Sequence, residues 1–234
     1  MTPTPVWRLE SDLATLQLGA LTATVRISQP QLGLHDVRVG GLAIAGAELL
    51  APRYENGDEW PAPMDCFVRG GDLVVTYPFT PARSVRVQVY WRAVSSDMLQ
   101  QGAGCLAAVD AQISVQTPLL DSRPGMLLCS RFIERSIARV DCATQEDAAP
   151  WVFGISDDVS YAELIHPHDV GEEHFAEVNG LAQLAHRLFS GSLEKGVILR
   201  ARVRGIFLST AQGDAANVSA LYDEFVTAPL PLTT

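Results

Sequence analysis

Residues Ser84–Val94 read SVRVQVYWRAV and alternate strictly. Val85, Val87, Val89 and Trp91 fall on one face, and Arg86, Gln88, Tyr90 and Arg92 on the other. A period of two over this length, rich in β-branched and aromatic residues, predicts a β-strand with one face in a core. The opposite face carries two guanidiniums, an amide and a phenol, which is either solvated surface or a place for a polar ligand.

The pattern recurs along the chain. In Leu106–Gln116, Val109, Ala111, Ile113 and Val115 alternate with Asp110, Gln112, Ser114 and Gln116. In Val197–Leu208, Arg200, Arg202 and Arg204 oppose Leu199, Ala201 and Val203. Shorter strands are expected at Trp7–Leu9, Ala14–Leu18, Leu21–Ser28, Leu34–Val39, Leu42–Ala45, Cys66–Arg69, Asp72–Tyr77, Trp151–Ser156, Tyr161–Ile165 and Leu181–Phe189. Met126–Phe132 and Arg135–Val140 are expected to pair with each other. Gly40-Gly41 and Gly70-Gly71 suit tight hairpins, because glycine accepts positive φ at little cost. Ala51–Pro63 reads as a polar, Pro-bounded loop, whose Tyr54 and Trp60 are either packed lids or a stacking surface. Asp97–Gly104 reads as a loop or short helix, and Ala143–Pro150 as a surface loop. Helical spacing occurs once, near the end: Val218, Leu221, Tyr222 and Phe225 follow i, i+3, i+4, i+7, with Asp214 placed to cap and Pro229 beyond. The expected architecture is all-β: one large antiparallel sandwich over residues 1–234, with a C-terminal helix at about 214–227 covering an edge.

Composition narrows the function classes. The chain has 234 residues, is 47% hydrophobic with mean hydropathy +0.13, and carries a net charge of −10. An acidic chain repels phosphate backbones, so no nucleic-acid partner is expected. The longest nearly uncharged run, Val39–Leu50, is too short and Gly-rich to span a bilayer, and the N-terminus shows no signal-peptide pattern. A cytoplasmic protein without membrane contact is the expectation. Cys66, Cys105, Cys129 and Cys142 are scattered, with no zinc-like spacing, and read as free thiols. No cofactor is expected.

Lysine is nearly absent, Lys195 being the only one, so the polar strand faces are built from Arg and Gln. Guanidinium offers planar bidentate bonding and the Gln amide both donates and accepts, which suits hydroxyl-rich or carboxylate ligands. The competing reading is an ordinary solvated face. The segment Tyr161–Phe175, YAELIHPHDVGEEHF, holds three of the five histidines. His166 and His168 have a metal-ligand spacing if the segment is extended, with Asp169 or His174 as a third ligand. Glu163 and His166 are three apart, so a regular strand points them to opposite faces. His186, flanked on its face by Leu184 and Leu188, reads as a core histidine or as an acid.

The stretches AHRLFSGSLEKGVILRARVRGIFL (185–208), YAELIHPHD (161–169) and LDSRPGMLLCSRF (120–132) resemble proteins of the galactose mutarotase-like, super-sandwich class. This resemblance implies a concave sheet that binds carbohydrate. It also implies, for an aldose epimerase, a histidine acid (His166 or His186) and a glutamate base (Glu163 or Glu194). Arg86, Tyr90, Arg92, Gln112, Arg200 and Arg202 would then orient the hydroxyls of a carbohydrate or other polyol. The alternatives are a non-catalytic structural or assembly module, and a metal-dependent hydrolase or lyase using His166, His168 and His174. An open edge strand could also pair with a second copy to make a homo-oligomer.

Overall fold

In the computed structural model, residues 6–57, 59–94, 104–140, 148–209 and 215–228 are described. The elements in chain order begin with β1 (Trp7–Glu10), β2 (Leu13–Leu18), β3 (Leu21–Arg26), β4 (His35–Val39), β5 (Leu42–Ala43) and β6 (Glu48–Tyr54). Next come β7 (Asp65–Arg69), β8 (Asp72–Tyr77), β9 (Arg86–Val94), β10 (Cys105–Gln116), β11 (Met126–Phe132) and β12 (Ser136–Arg139). The chain continues through β13 (Trp151–Gly154), β14 (Val159–Ile165), β15 (Val170–Val178), β16 (Leu181–Leu188), β17 (Ile198–Ser209) and α1 (Ala215–Thr227). Asp214, Pro229, Cys142, and the stretches 97–103 and 143–147 lie outside the described residues.

These strands form three antiparallel sheets, as the alternating pattern predicts. The largest has eight strands in the order β12-β13-β14-β17-β10-β9-β8-β7. A five-stranded meander, β1 to β5, and a four-stranded sheet, β15-β16-β11-β6, make the other layer. A backbone pair between Leu34 and Leu49 links the two smaller sheets. Three polar ends of core aromatics tie the layers together. Trp91 Nε1 donates to the Leu50 carbonyl at 3.3 Å, the Tyr77 hydroxyl to Ile27 O at 2.7 Å, and Trp7 Nε1 to Gly71 O at 3.0 Å. Each supplies a large apolar area without an orphaned donor. One hydrophobic cluster runs through all three sheets, so the layers share a core and the architecture is the expected all-β sandwich.

Val87, Val89 and Trp91 face that core and are fully buried. Gly40 and Gly41 take φ of 58° and 88° at the β4–β5 turn, the conformation that favours glycine. Two strands depart from the expected reading. The presumed loop after Ala51 begins as β6, which pairs with β11 through Pro52 and Ala51. Proline is tolerated there because β6 is the outer strand of its sheet. Val170–Val178, rich in glutamate, forms β15 at the opposite edge of the same sheet. The expected pairing of Met126–Phe132 with Arg135–Val140 does not occur: β11 pairs β6 and β16, while β12 crosses to the other layer and pairs β13.

The helix falls where the spacing places it, with Val218, Leu221, Tyr222 and Phe225 buried. It does not cap an edge. The Phe225 ring lies against the guanidiniums of Arg202 and Arg204, at 4.3 and 5.0 Å, so α1 covers the outer face of the eight-stranded sheet at a central strand.

Candidate functional site

The outer face of the eight-stranded sheet carries all three polar strand faces side by side. Register aligns Arg200, Ser114, Gln88, Thr76 and Asp65 in one row across β17, β10, β9, β8 and β7. The next row is Arg202, Gln112, Tyr90, Val74 and Phe67. Arg204, Asp110, Arg92, Asp72 and Arg69 form the third.

Neutralisation divides this face. In the third row, Arg204 grips Asp110 through Nε and Nη2 at 2.6 and 3.0 Å, both side chains buried, and Arg92 grips Asp72 at 2.6 and 2.8 Å. These bidentate pairs match planar guanidinium to carboxylate and balance the charge. Arg202, expected to hold substrate, is buried under α1, where its Nη2 donates to Phe225 O at 2.8 Å. Its backbone N–H is capped by Asp169 Oδ2 at 2.9 Å, just past the end of β14. Helix anchoring thus occupies Arg202, and Arg92 is committed to Asp72.

The first row remains open. A cleft of about 200 Å³ runs over it, lined by Asp65, Thr76, Arg86, Gln88, Ser114 and Gln116, with Met64 and Ile198 also lining it. Arg86 and Gln116 also line an adjoining recess of about 150 Å³ beneath the half-exposed Phe79. The Tyr90 hydroxyl donates to Gln88 Oε1 at 2.6 Å, and Gln88 Nε2 donates to Thr76 Oγ1 at 3.0 Å. That relay fixes which way the Gln88 amide points. Burial pushes the Tyr90 phenol pKa up against the opposing charges of Arg69 and Arg200, so it remains a donor. Beside this relay, Gln112 is 3% exposed and neither end of its amide has a partner among the described residues. The buried Ser114 hydroxyl likewise has none. Buried polar groups are seldom left unpaired; Ser114 lines the cleft, where an incoming hydroxyl or a water completes its bonding, while Gln112 lies in the neighbouring row, outside the cleft lining.

The acid/base candidates lie elsewhere. Glu163 and His186 come together between the layers, Nε2 to Oε1 at 2.9 Å, with both side chains 0% exposed. Glu163 Oε2 also accepts from the Tyr161 hydroxyl at 2.6 Å and from Ser130 Oγ at 2.5 Å. His186 Nδ1 makes a second ion-pair contact with Glu173 Oε1, at 3.2 Å and off the direction of a hydrogen bond. Glu173 is in turn held by Arg139 at 2.9 Å and by Trp151 Nε1 at 3.3 Å. Burial disfavours the imidazolium, but the two carboxylates outweigh it and push the His186 pKa up to about 9. Gly205 makes room for this cluster: a Cβ there would sit 2.6 Å from the Tyr161 hydroxyl oxygen.

His166 and Glu194 do not join the pair. His166 begins a turn, with Asp169 N–H donating to its carbonyl at 2.8 Å, and Glu194 is exposed in the loop before β17. The turn also corrects the extended reading of the His166-Pro167-His168 segment. Its imidazoles are 5.3 Å apart, with the His168 N–H donating to His166 Nδ1, and His174 pairs with Glu172 at 3.1 Å. No group of three His, Cys, Asp or Glu among the described residues is arranged to hold a metal ion. Cys66 and Cys105 are free thiols, and Cys129 is buried.

The sequence reading missed Ser130, Tyr161 and Glu173 as partners of the buried pair. One signal pointed to them. Glu163 is the only charge in the fully buried run Val159–Ile165, and such a charge requires a counter-ion from another apolar strand.

No protein-family model matches the sequence, and no curated protein matches it. Solved structures do share the fold. A mutant of the heparan sulfate lyase HepC from Pedobacter heparinus superposes with a TM-score of 0.58 at 9% identity, over 89% of this chain and 37% of that one. YeaD from Salmonella typhimurium, provisionally named a mutarotase, gives 0.52 at 8% identity over 89% and 95% of the two chains. The heparinase III BT4657 gene product gives 0.53 at 9% identity, over 92% and 37%. This chain therefore spans a little over a third of HepC and of the BT4657 heparinase and nearly all of YeaD. At these identities the likeness is one of fold.

Proposed function

We propose that this protein binds a saccharide, or another hydroxyl-rich ligand, in the outer-face cleft over β8, β9 and β10. The observation that carries this reading is the buried Ser114 hydroxyl, without a partner among the described residues, in an open cleft of mixed donors and acceptors. A hydroxyl both donates and accepts, so it complements an amide and a serine in a way that water or a polyol can and an apolar ligand cannot. Arg86 and Asp65 extend the set at the rim, while Met64 and Ile198 offer apolar surface for the C–H face of a sugar ring. The names of the fold's neighbours, a heparan sulfate lyase, a heparinase and a provisional mutarotase, direct the search to carbohydrates.

Binding rather than ring opening is the activity proposed. The carboxylate and imidazole that could open a ring are sealed between the layers, and among the described residues lining the cleft Asp65 is the one carboxylate and there is no histidine. The test is one NMR experiment on a panel of reducing sugars, following ligand line broadening and anomer exchange together. Broadening without faster exchange is expected, weakened several-fold by Arg86→Ala and by Ser114→Val. Accelerated exchange would replace the binding reading with an epimerase. No broadening across a broad panel of neutral and acidic sugars would refute the carbohydrate reading altogether.

A further inference from the structure

A second recess lies beside the Ser84–Arg86 segment, about 190 Å³ in volume and lined by Tyr54, Asn56, Arg83, Ser84, Arg123 and Gly125. Its chemistry differs from that of the sugar cleft. Arg83 stacks over the Tyr54 ring at 4.2 Å, and its Nη1 and Nη2 each donate to a backbone carbonyl, Asn56 O and Gly57 O, both at 3.1 Å. Those bonds orient the guanidinium without neutralising it. Arg123 is exposed at the recess, and neither arginine has a carboxylate partner among the described residues. The Glu55 carboxylate lies close to Gly125 but is held by Arg187 Nε at 2.6 Å.

Tyr54 supplies an independent observation. Its residue is 5% exposed, its ring is wedged against Trp60 at 4.6 Å, and its hydroxyl is buried with no partner among the described residues. Burial raises its pKa to about 12 despite the opposing charge of Arg83, so the group stays an O–H donor. The surrounding loop is tied down: Thr117 Oγ1 donates to Ser84 O at 2.8 Å, and the Ser84 and Ser122 hydroxyls lie 2.7 Å apart. Among the described residues, two guanidiniums without a carboxylate partner and one unpaired phenol therefore line one recess of a chain whose net charge is −10. Guanidinium charge that no carboxylate cancels, beside a buried O–H donor, is what an oxyanion requires.

We propose that this recess is an oxyanion-binding site, taking a carboxylate, sulfate or phosphate group on Arg83, Arg123 and the Tyr54 hydroxyl. It is separate from the polyol cleft and does not depend on it. The test is a ¹H–¹⁵N titration of the full chain with sodium sulfate, inorganic phosphate and D-glucuronate, each at constant ionic strength. At least one anion should give saturable shifts at the Gly57, Ser84 and Gly125 amides. A tetrahedral ion alone would identify a free-anion site, and glucuronate alone a sugar carboxylate. Arg123→Gln, an exposed change, should weaken that binding by about ten-fold or more. Tyr54→Phe, which keeps the ring stacking, should weaken it a few-fold, and neither variant should alter neutral-sugar broadening at the cleft. Linear, unsaturated shifts with all three anions would overturn the proposal, as would unchanged affinity in Arg123→Gln.

Discussion

Replacing His186 by glutamine removes the one cation between Glu163 and Glu173 while keeping a side chain that can donate a single hydrogen bond. Both carboxylates stay where they are: Glu163 is still bonded by Tyr161 and Ser130, and Glu173 by Arg139 and Trp151. Removing one member of a buried ion pair costs about 3–5 kcal/mol, because the remaining charge keeps its desolvation penalty. The pH dependence gives an independent figure. The imidazole is raised from its ordinary 6.5 to about 9 in the folded chain. At about 1.4 kcal/mol per pH unit, this corresponds to about 3 kcal/mol. A raised pKa means that the folded state holds the proton longer than the unfolded one. The contribution is therefore complete below about pH 6.5, declines between about 6.5 and 9, and is gone above that. Urea unfolding of the wild type and His186→Gln at half-unit steps from pH 6 to 9.5 measures it directly. The difference between the two proteins should be about 3–5 kcal/mol at pH 6 and shrink by about 3 kcal/mol across the window. A difference below about 1 kcal/mol at pH 6, or one that stays constant with pH, would refute the reading of His186 as a buried imidazolium clamp.

Three further outcomes follow from the same geometry. Gly205→Ala should destabilise the fold by about 1–3 kcal/mol, read from thermal or urea unfolding, because its Cβ would collide with the Tyr161 ring under the cluster. Arg204→Met should cost about 3–5 kcal/mol by leaving Asp110 buried and alone. The paired change with Asp110→Leu should recover a large part of that loss, and failure to recover it would deny the coupling. Arg202→Met should lower hydrogen-exchange protection in α1 more than in the sheets, since its Nη2 binds Phe225 O.

The parts of this fold that were legible in the sequence are those whose signal is local. β9, β10 and β17 show a period of two over nine to twelve residues, and α1 a period of 3.6. β6 and β15 were not legible, for opposite reasons. The first is interrupted by Pro52, which only an edge position makes harmless, and the second is so acidic that its apolar period is nearly erased. Both sit at the edges of one sheet, where packing asks least of sequence. The site divides in the same way. Alternation placed Arg86, Gln88, Gln112 and Ser114 on one face, but it could not tell which parts would be covered. Arg202 became an anchor only because residues more than twenty positions away settle over that face. The Glu163–His186 contact spans 23 residues and two sheets, so no spacing rule reaches it. The other polar strand faces, read as surface or ligand site, proved to be partly self-neutralised.

The order of strands in the large sheet also dictates an order of events during synthesis. β17 lies between β14 and β10, so the eight strands are two separate groups, β12-β13-β14 and β10-β9-β8-β7, until Ile198–Ser209 exists. A ribosome emitting this chain has made sixteen of the seventeen described strands before the two halves can join. For that interval the edges of β14 and β10, later sealed at the centre of the sheet, are open to any passing strand. A chain stopped at residue 197 is therefore expected to accumulate in the insoluble fraction, while one stopped at residue 212, with β17 made but α1 missing, stays soluble. β17 closes the sandwich only after the other described strands have been made.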